Sequence, residues 1–521
     1  MSRTGHRKAL GLSVLNGVGK LLALGKTMLV AALFGVGASL DAFWVAYSLP
    51  LLLPSLLTTV VTVAFVPRFM AKLEGREGPE AWAGANTFFT LIIALSLVAS
   101  ATMYVFADSL VGFLAPGLAG ATHAEAVSLT RLLLPCVPLL TLSSVLSALS
   151  NARERFVLPA LEGVLTNVTI IVSALWLARH FGVMALTLGV IAGFLLQAGV
   201  LLWGNRGDLR RSIRPRLDLR HPDFRAPAMH LLPLFVGSAG SVLTGLINQY
   251  FLSTGGEGAI SAMAYAAMFA FLPVEVFAQA VITTIYPVFG RHFARGEIDA
   301  AAHAFAEGVR FLLFLTLPAA VLLIVFAEPL LTLLLERGAF TPEQTAMTAQ
   351  ITQILALGLI FRSMAFFFYR VLHAAVRPWL QVGIGLLGVA THFTLCQLWG
   401  EGEGGGASAV AWAATFSMLQ SALLSLLAAL WVLRWRWPSS LWPDLAKLAA
   451  VAAVMAAVGW GLRPLAWPSH DAARSLHAME SMGLALVVGV IGLVFALLLR
   501  QPDLQWLLRG MWSRRRRGAA P

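Results

Sequence analysis

Residues 11–34 read GLSVLNGVGKLLALGKTMLVAALF, and this stretch decides the fold. It holds two charges, Lys20 and Lys26, in a run long enough to cross a bilayer as a helix, which takes about 20 residues. Arg3, Arg7 and Lys8 precede it, as in a signal peptide. The apolar stretch, however, continues to Phe34 through both lysines, so it reads as an uncleaved first span. Similar runs recur along all 521 residues, of which 58% are hydrophobic and 12% charged. A soluble domain carries roughly 25% charged residues. A membrane barrel would show short alternating segments, and the chain has none of that pattern. The fold class expected is therefore all-α, a polytopic membrane protein.

The hydropathy pattern predicts about fourteen spans. The first six are 11–35, 42–66, 84–107, 127–149, 158–178 and 183–203. The next six are 230–252, 262–285, 309–327, 350–373, 379–399 and 408–433, followed by 444–463 and 479–499. The net charge of +12 is distributed by loop. The N-terminus, 67–83, 150–157, 204–229, Arg291 with Arg295, Arg377, Arg434 with Arg436, and the tail from Arg500 are basic. The alternate loops carry acids such as Asp41, Asp108, Glu257, Glu328 and Glu401. That alternation predicts that both termini are cytoplasmic. It also accounts for the basic pI without nucleic acid, which is not expected as a partner.

Four stretches repeat in order at an offset of 220 to 223 residues. Pro50 pairs with Pro273, Pro67 with Pro287, Asp108 with Glu328 and Arg155 with Arg377. Two six-span lobes of the same orientation follow, 1–203 and 230–436, pseudo-symmetric about an axis along the membrane normal. Residues 204–229 form a basic linker, 437–499 hold two extra helices and 500–521 form a basic tail. Transporters place substrate between such lobes.

No HExxH, P-loop or GxSxG signature occurs, so the chain is expected not to be an enzyme. Cys136 and Cys396 lack metal or redox spacing and read as core residues, and no cofactor is expected. Charges within spans mark function, because each is costly in hydrocarbon. Lys20 lies about 14 Å into the first span, and Lys26 about 120° around the helix from it, so both can border one cavity. Their sign favours an anionic substrate. Asn16 on the same helix and Arg362 in the tenth span are further candidate substrate contacts, with snorkelling or interhelical bonding as the plainer readings. Glu275, two residues after Pro273, is a candidate gating or coupling group, and Pro50 and Pro273 are candidate bends. Asn167, Asn248 and Gln249 read as interhelical hydrogen-bond partners, and His392 as a packing residue.

Gly19-Lys20, Lys26, the Phe34–Phe43 pattern FGxGxxxDAF and Leu49-Pro50 are the most specific motifs, together with Arg337-Gly-Ala-Phe-Thr341. These stretches resemble the MurJ (MviN) lipid II flippase family of the multidrug/oligosaccharidyl-lipid/polysaccharide exporter superfamily. The resemblance covers the whole chain. It implies a V-shaped two-lobe fold and alternating access. The implied cargo is a polyprenyl-pyrophosphate-linked saccharide, carried from the cytoplasmic to the periplasmic leaflet. It also implies that Lys20, Lys26 and Asp41 contact substrate and that the last two helices hold the lipid tail. The family's second-helix arginines are replaced by Leu51 to Ser55, a family Glu by Thr59 and a helix-eight Arg by Met268. Capsule, exopolysaccharide or O-antigen units, a cation or drug antiporter, and a non-transporting scaffold among envelope-synthesis proteins remain alternatives. A monomer in the lipid bilayer is expected.

Overall fold

The computed structural model describes residues 3–211, apart from 61–77, then 214 and 216–218, and 239–505 apart from 276–278, 401–405, 440 and 467–473. The end of the second span, the start of the seventh, much of the linker and the tail beyond 505 lie outside the described residues.

Among the described residues, helices lie along the expected spans. In chain order these are α1 Arg3–Phe34, α2 Ala38–Val60, α3 Gly78–Val105, α4 Ala107–Leu114, α5 Gly120–Leu133, α6 Cys136–Ala152, α7 Val157–Phe181 and α8 Met184–Gly204. After the six-residue α9 (Arg206–Arg211) comes α10 at 239–254. The rest are α11 Ala259–Pro273, α12 Gln279–Arg295, α13 Ile298–Leu334, α14 Pro342–Ala374, α15 Pro378–Gly400, α16 Gly406–Val432, α17 Leu441–Ala466 and α18 Arg474–Leu498. Among the described residues, ten helices are long and apolar enough to cross a membrane, or eleven if α5 and α6 make one bent span.

Three departures from the expected spans have backbone causes. The fourth span is bent by 43° between α5 and α6, where Pro135 interrupts the ladder. The eighth ends a helix at Pro273 and passes through a wide π turn at 274–275, with a new helix described from Gln279. The loop after α3 folds into the short amphipathic α4, which buries Ala107, Val111 and Leu114.

The chain divides into two compact units, Met1–Ser261 with Arg337–Phe340, and Ala262–Glu336 with Thr341–Pro521. In the first, Gly189 and Gly193 bring α8 against α7. A Cβ at Gly189 would sit 2.7 Å from the Cα of Ile170, and one at Gly193 2.8 Å from that of Thr166. Small residues four apart let two membrane helices pack backbone to backbone.

The second unit packs around aromatic side chains. Phe305 stacks on Phe367 with centroids 5.8 Å apart, and Phe289 and Phe368 close the cluster. α13 kinks at Phe326, whose φ and ψ are −114° and 19°, three residues before Pro329. Proline cannot donate to the carbonyl four residues back, so the helix bends there. Phe326, Val325, Met455 and Val488 then join α13 to α17 and α18. α14 starts with a capping box. Thr341 Oγ1 accepts from Gln344 N at 3.4 Å, and Gln344 Oε1 accepts from Thr341 N at 3.2 Å, with Pro342 opening the helix.

Candidate functional site

In the first unit the site is built on α1. Gly19 faces α7, where Asn167 Nδ2 donates to the Gly19 carbonyl at 3.3 Å and to Gly163 at 2.7 Å. Asn167 is buried, and this bond makes it the interhelical partner expected of it. Fixing Gly19 against α7 turns the next residue, Lys20, about 100° around the helix, onto an exposed face. Asn16 is exposed and Lys26 half-buried, next to a buried Thr27 whose hydroxyl bonds the Ala23 carbonyl at 2.9 Å. The apolar span within α1 is Val14–Phe34. Lys20 is therefore about 9 Å from its start and Lys26 about 18 Å, so Lys26 is the deeper cation.

Asp41 has a different setting. It is 2% exposed in the first turn of α2. Its Oδ2 accepts the Gly258 N–H and its Oδ1 the Ser261 N–H, both at 2.7 Å. Those donors belong to the turn that opens α11, so the carboxylate acts as an N-terminal cap supplied from far away in sequence. Glu257 reinforces the contact by accepting the Ala38 N–H at 3.2 Å. Along α2, Ser48 donates to Gln249 Oε1 at 3.0 Å, and Gln249 Nε2 donates to the Trp44 carbonyl at 3.3 Å. Pro50 is buried one turn from Ala46, inside an α2 that stays continuous.

At the far end of the first unit, Ala339 N donates to the Ala32 carbonyl at 2.9 Å. Gly338 makes this turn with φ +61°, and a Cβ there would lie 2.3 Å from the same oxygen. The RGAFT motif is thus a backbone turn that satisfies a carbonyl near the end of α1.

The second unit holds Arg362, Glu275, Pro273 and Met268. Arg362 is half-buried on α14, its guanidinium 4.4 Å from the Phe271 ring centre and 5.3 Å from that of Phe366. Glu275 is exposed on the wide turn after Pro273, four residues after Phe271. Met268 lies one turn before Phe271 and is half-buried. His392 is fully buried, with a ring nitrogen 3.7 Å from Cys396 Sγ.

Lys20, Lys26 and Asn16 thus share one helix, and Arg362 shares a locality with Glu275 and Pro273. Asp41 is occupied by backbone donors. Sequence reasoning missed the cap because its partners are more than two hundred residues away. The acid in the first turn of α2 was the one local signal.

Helices long and apolar enough to cross a membrane, with Lys20, Lys26 and Arg362 set into them, are the build of a membrane transporter. A sequence model described as lipid II flippase MurJ matches residues 30–470. The chain belongs to the MurJ lipid II flippase family. It is 29% identical over 495 residues to a probable lipid II flippase MurJ of Rhizobium meliloti (strain 1021), covering 90% of this chain and 88% of that one. A lipid II flippase MurJ of Burkholderia cenocepacia is 29% identical over 354 residues, 66% of this chain and 68% of its own length. Among solved structures, a lipid II flippase MurJ in an inward closed conformation superposes with a TM-score of 0.79 at 20% identity, over 96% of this chain and 100% of that one. An inward-facing multidrug resistance MATE transporter of the MOP superfamily superposes at 0.65 and 15% identity, over 80% of this chain and 94% of that one. Family and helices together make this a multi-pass inner-membrane protein.

Proposed function

We infer that this protein translocates lipid II across the inner membrane, from the cytoplasmic to the periplasmic leaflet. The observation that carries the reading is the pair of lysines within the span of α1, in a chain of the MurJ family. An ammonium in hydrocarbon is costly unless it faces water or an anion. A lipid-linked pyrophosphate supplies that anion, and Lys20 and Lys26 are its proposed contacts, with Asn16 beside them. Lysine acts here as a point charge without the fork that makes arginine bidentate toward phosphate. Cargo held by point charges can also be released.

The cycle proposed is alternating access between the 1–203 and 230–436 lobes, with 437–499 holding the lipid tail and both termini cytoplasmic. Asp41 is assigned a capping role, since both its oxygens already accept backbone N–H bonds. Pro273, where α11 ends, is the proposed bend of the second lobe, while α2 runs on through Pro50. A monomer suffices for this scheme, and no chemistry is performed on the cargo.

Complementation tests the reading. A strain depleted of its own lipid II flippase should grow when this chain is expressed, and Lys20→Ala should abolish the rescue. Failure to rescue despite normal membrane expression would reject lipid II in favour of another lipid-linked glycan.

A further inference from the structure

α8 and α16, which carry the sixth and twelfth spans, end alike, in Trp203-x-x-Arg206 and Trp431-x-x-Arg434. Each tryptophan is exposed and lies under an arginine. The Arg206 guanidinium is 5.2 Å from the centre of the Trp203 ring, and that of Arg377 is 5.6 Å from the centre of Trp431. The corner that carries Arg206 is held in place. Arg155 Nη1 donates to the Gly204 carbonyl. Buried Asn205 donates from Nδ2 to Ser150 Oγ and to the Leu201 carbonyl, both at 2.8 Å. An aromatic ring beside a cation is the usual furniture of a membrane–water boundary.

Below the tryptophan the two helices differ. Four and eight residues before Trp203 stand Gly199 and Leu195, whereas before Trp431 stand Leu427 and Leu423. On α8 the missing side chain leaves a groove of about 390 Å³, lined by Leu195, Leu196, Gly199, Val200 and Trp203. A Cβ at Gly199 would meet nothing within 4 Å. On α16 an exposed Leu427 fills the same step. The groove runs over eight residues, about 12 Å, close to the roughly 15 Å of hydrocarbon in one leaflet. Its lining is apolar up to the Trp203 indole, so it faces lipid rather than a polar path.

We propose that this groove is a site for an anionic phospholipid of the bilayer, with one acyl chain laid from Trp203 to Leu195 and the phosphate at Arg206. A chain already in hydrocarbon gains no hydrophobic energy by moving onto a helix. It gains contacts where a rigid surface would otherwise leave a void. Gly199 thus supplies the fit, and Arg206 supplies the preference for a headgroup of net negative charge. The occupant is a resident lipid, separate from whatever the protein translocates.

The test uses the full-length protein in bilayers, with phosphatidylglycerol carrying a photoactivatable diazirine on one acyl chain. Adducts are mapped by peptide mass spectrometry. Labelling at 195–203 should exceed that by the matching phosphatidylcholine probe about fivefold, the scale of one basic residue at an anionic surface. It should also exceed labelling at 423–431. Gly199→Leu, which makes α8 like α16, should remove the excess. Leu427→Gly should create one at 423–431, and it decides the matter alone if Gly199→Leu does not fold. Arg206→Gln should bring the two probes level while the groove still labels. Equal labelling of the wild type by both probes overturns the proposal, as does an excess that survives Gly199→Leu. Displacement of the probe by lipid II would make the groove a cargo path and overturn the assignment to a resident lipid. Absent adducts beside a cross-linked dimer would overturn it in favour of a second copy. Translocation of lipid II in vesicles is measured separately. Its absence beside the expected labelling would reject the function and spare the lipid site, and the reverse would reject the site alone.

Discussion

The Nε of Arg310 donates to Oδ2 of Asp503 at 2.9 Å across 193 residues of chain. The same guanidinium donates through Nη1 to Oδ2 of Asp444 at 3.1 Å, and Lys447 Nζ donates to the other oxygen of Asp444 at 3.2 Å. Two carboxylates and two cations therefore join α13, the first turn of α17 and the segment following α18. Asp503 is 5% exposed, so the group is held largely out of water.

Arg310→Leu should be among the more damaging single changes in the second unit. It leaves Asp444 with Lys447 alone and Asp503 buried without its cation. Removing one member of a buried ionic group costs about 3–5 kcal/mol. The expected result is a lower thermal midpoint in detergent and faster amide exchange at 501–505, with Arg310→Lys intermediate. An unchanged midpoint would show the group to be a surface ornament.

The pH response of Asp503 has a definite sign. Burial lifts its pKa above the ordinary carboxylate value of about 3.9, against the opposing pull of Arg310. The protonated form is thus favoured in the folded state. Its stabilisation is full below the unfolded value and is lost as pH rises through the folded one. Mild acid should therefore not loosen 501–505 through this residue. Asp503→Asn should flatten the dependence of the midpoint on pH above the ordinary carboxylate range, and should cost less than Arg310→Leu.

Asp41→Ala should remove the acceptor for two buried N–H groups at once, for about 2–4 kcal/mol. Asp41→Asn keeps one acceptor oxygen and should cost roughly half. Hydrogen exchange localises the effect, with protection at Gly258 and Ser261 lost before that of α7 or α8. Protection unaltered in Asp41→Ala would remove the capping assignment.

Gly338→Ala places a methyl group against the Ala32 carbonyl and asks an L residue to hold φ +61°. The left-handed conformation alone costs about 1 kcal/mol, and the clash adds to it. Lower stability with normal expression is expected, along with loss of protection at Ala339 N.

For transport, Lys26→Gln should reduce lipid II movement more than Lys20→Gln, because Lys26 lies deeper in the span of α1. Losses of about tenfold or more are expected for the deeper site. Lys→Arg at either position should retain activity, since charge and reach are kept. Equal activity of both Gln variants and wild type in vesicles would place the cargo elsewhere.

The helices were legible in sequence because hydrocarbon imposes a length and a composition. The expected 158–178 and 379–399 became Val157–Phe181 and Pro378–Gly400. Breaks at Pro135 and Pro273 were less legible. Proline occurs in continuous membrane helices too, as Pro50 and Pro54 do in α2. Lys20 and Lys26 stood out by their cost in an apolar run. The roles of Asp41, Gly338 and Arg362 did not, because their partners come from helices or turns distant in the chain. Pairings of that kind leave no local pattern.

The distance between Asp41 and Gly258 has a consequence for biogenesis. α2 leaves the ribosome 217 residues ahead of its partner. At about 5–20 residues per second, that is roughly 10–40 s of translation. Throughout that interval the carboxylate must stay hydrated, or be held by the insertion machinery, because its N–H donors do not yet exist. The first membrane helices are thus made early and finished late, and ribosome speed sets when their closing contact forms.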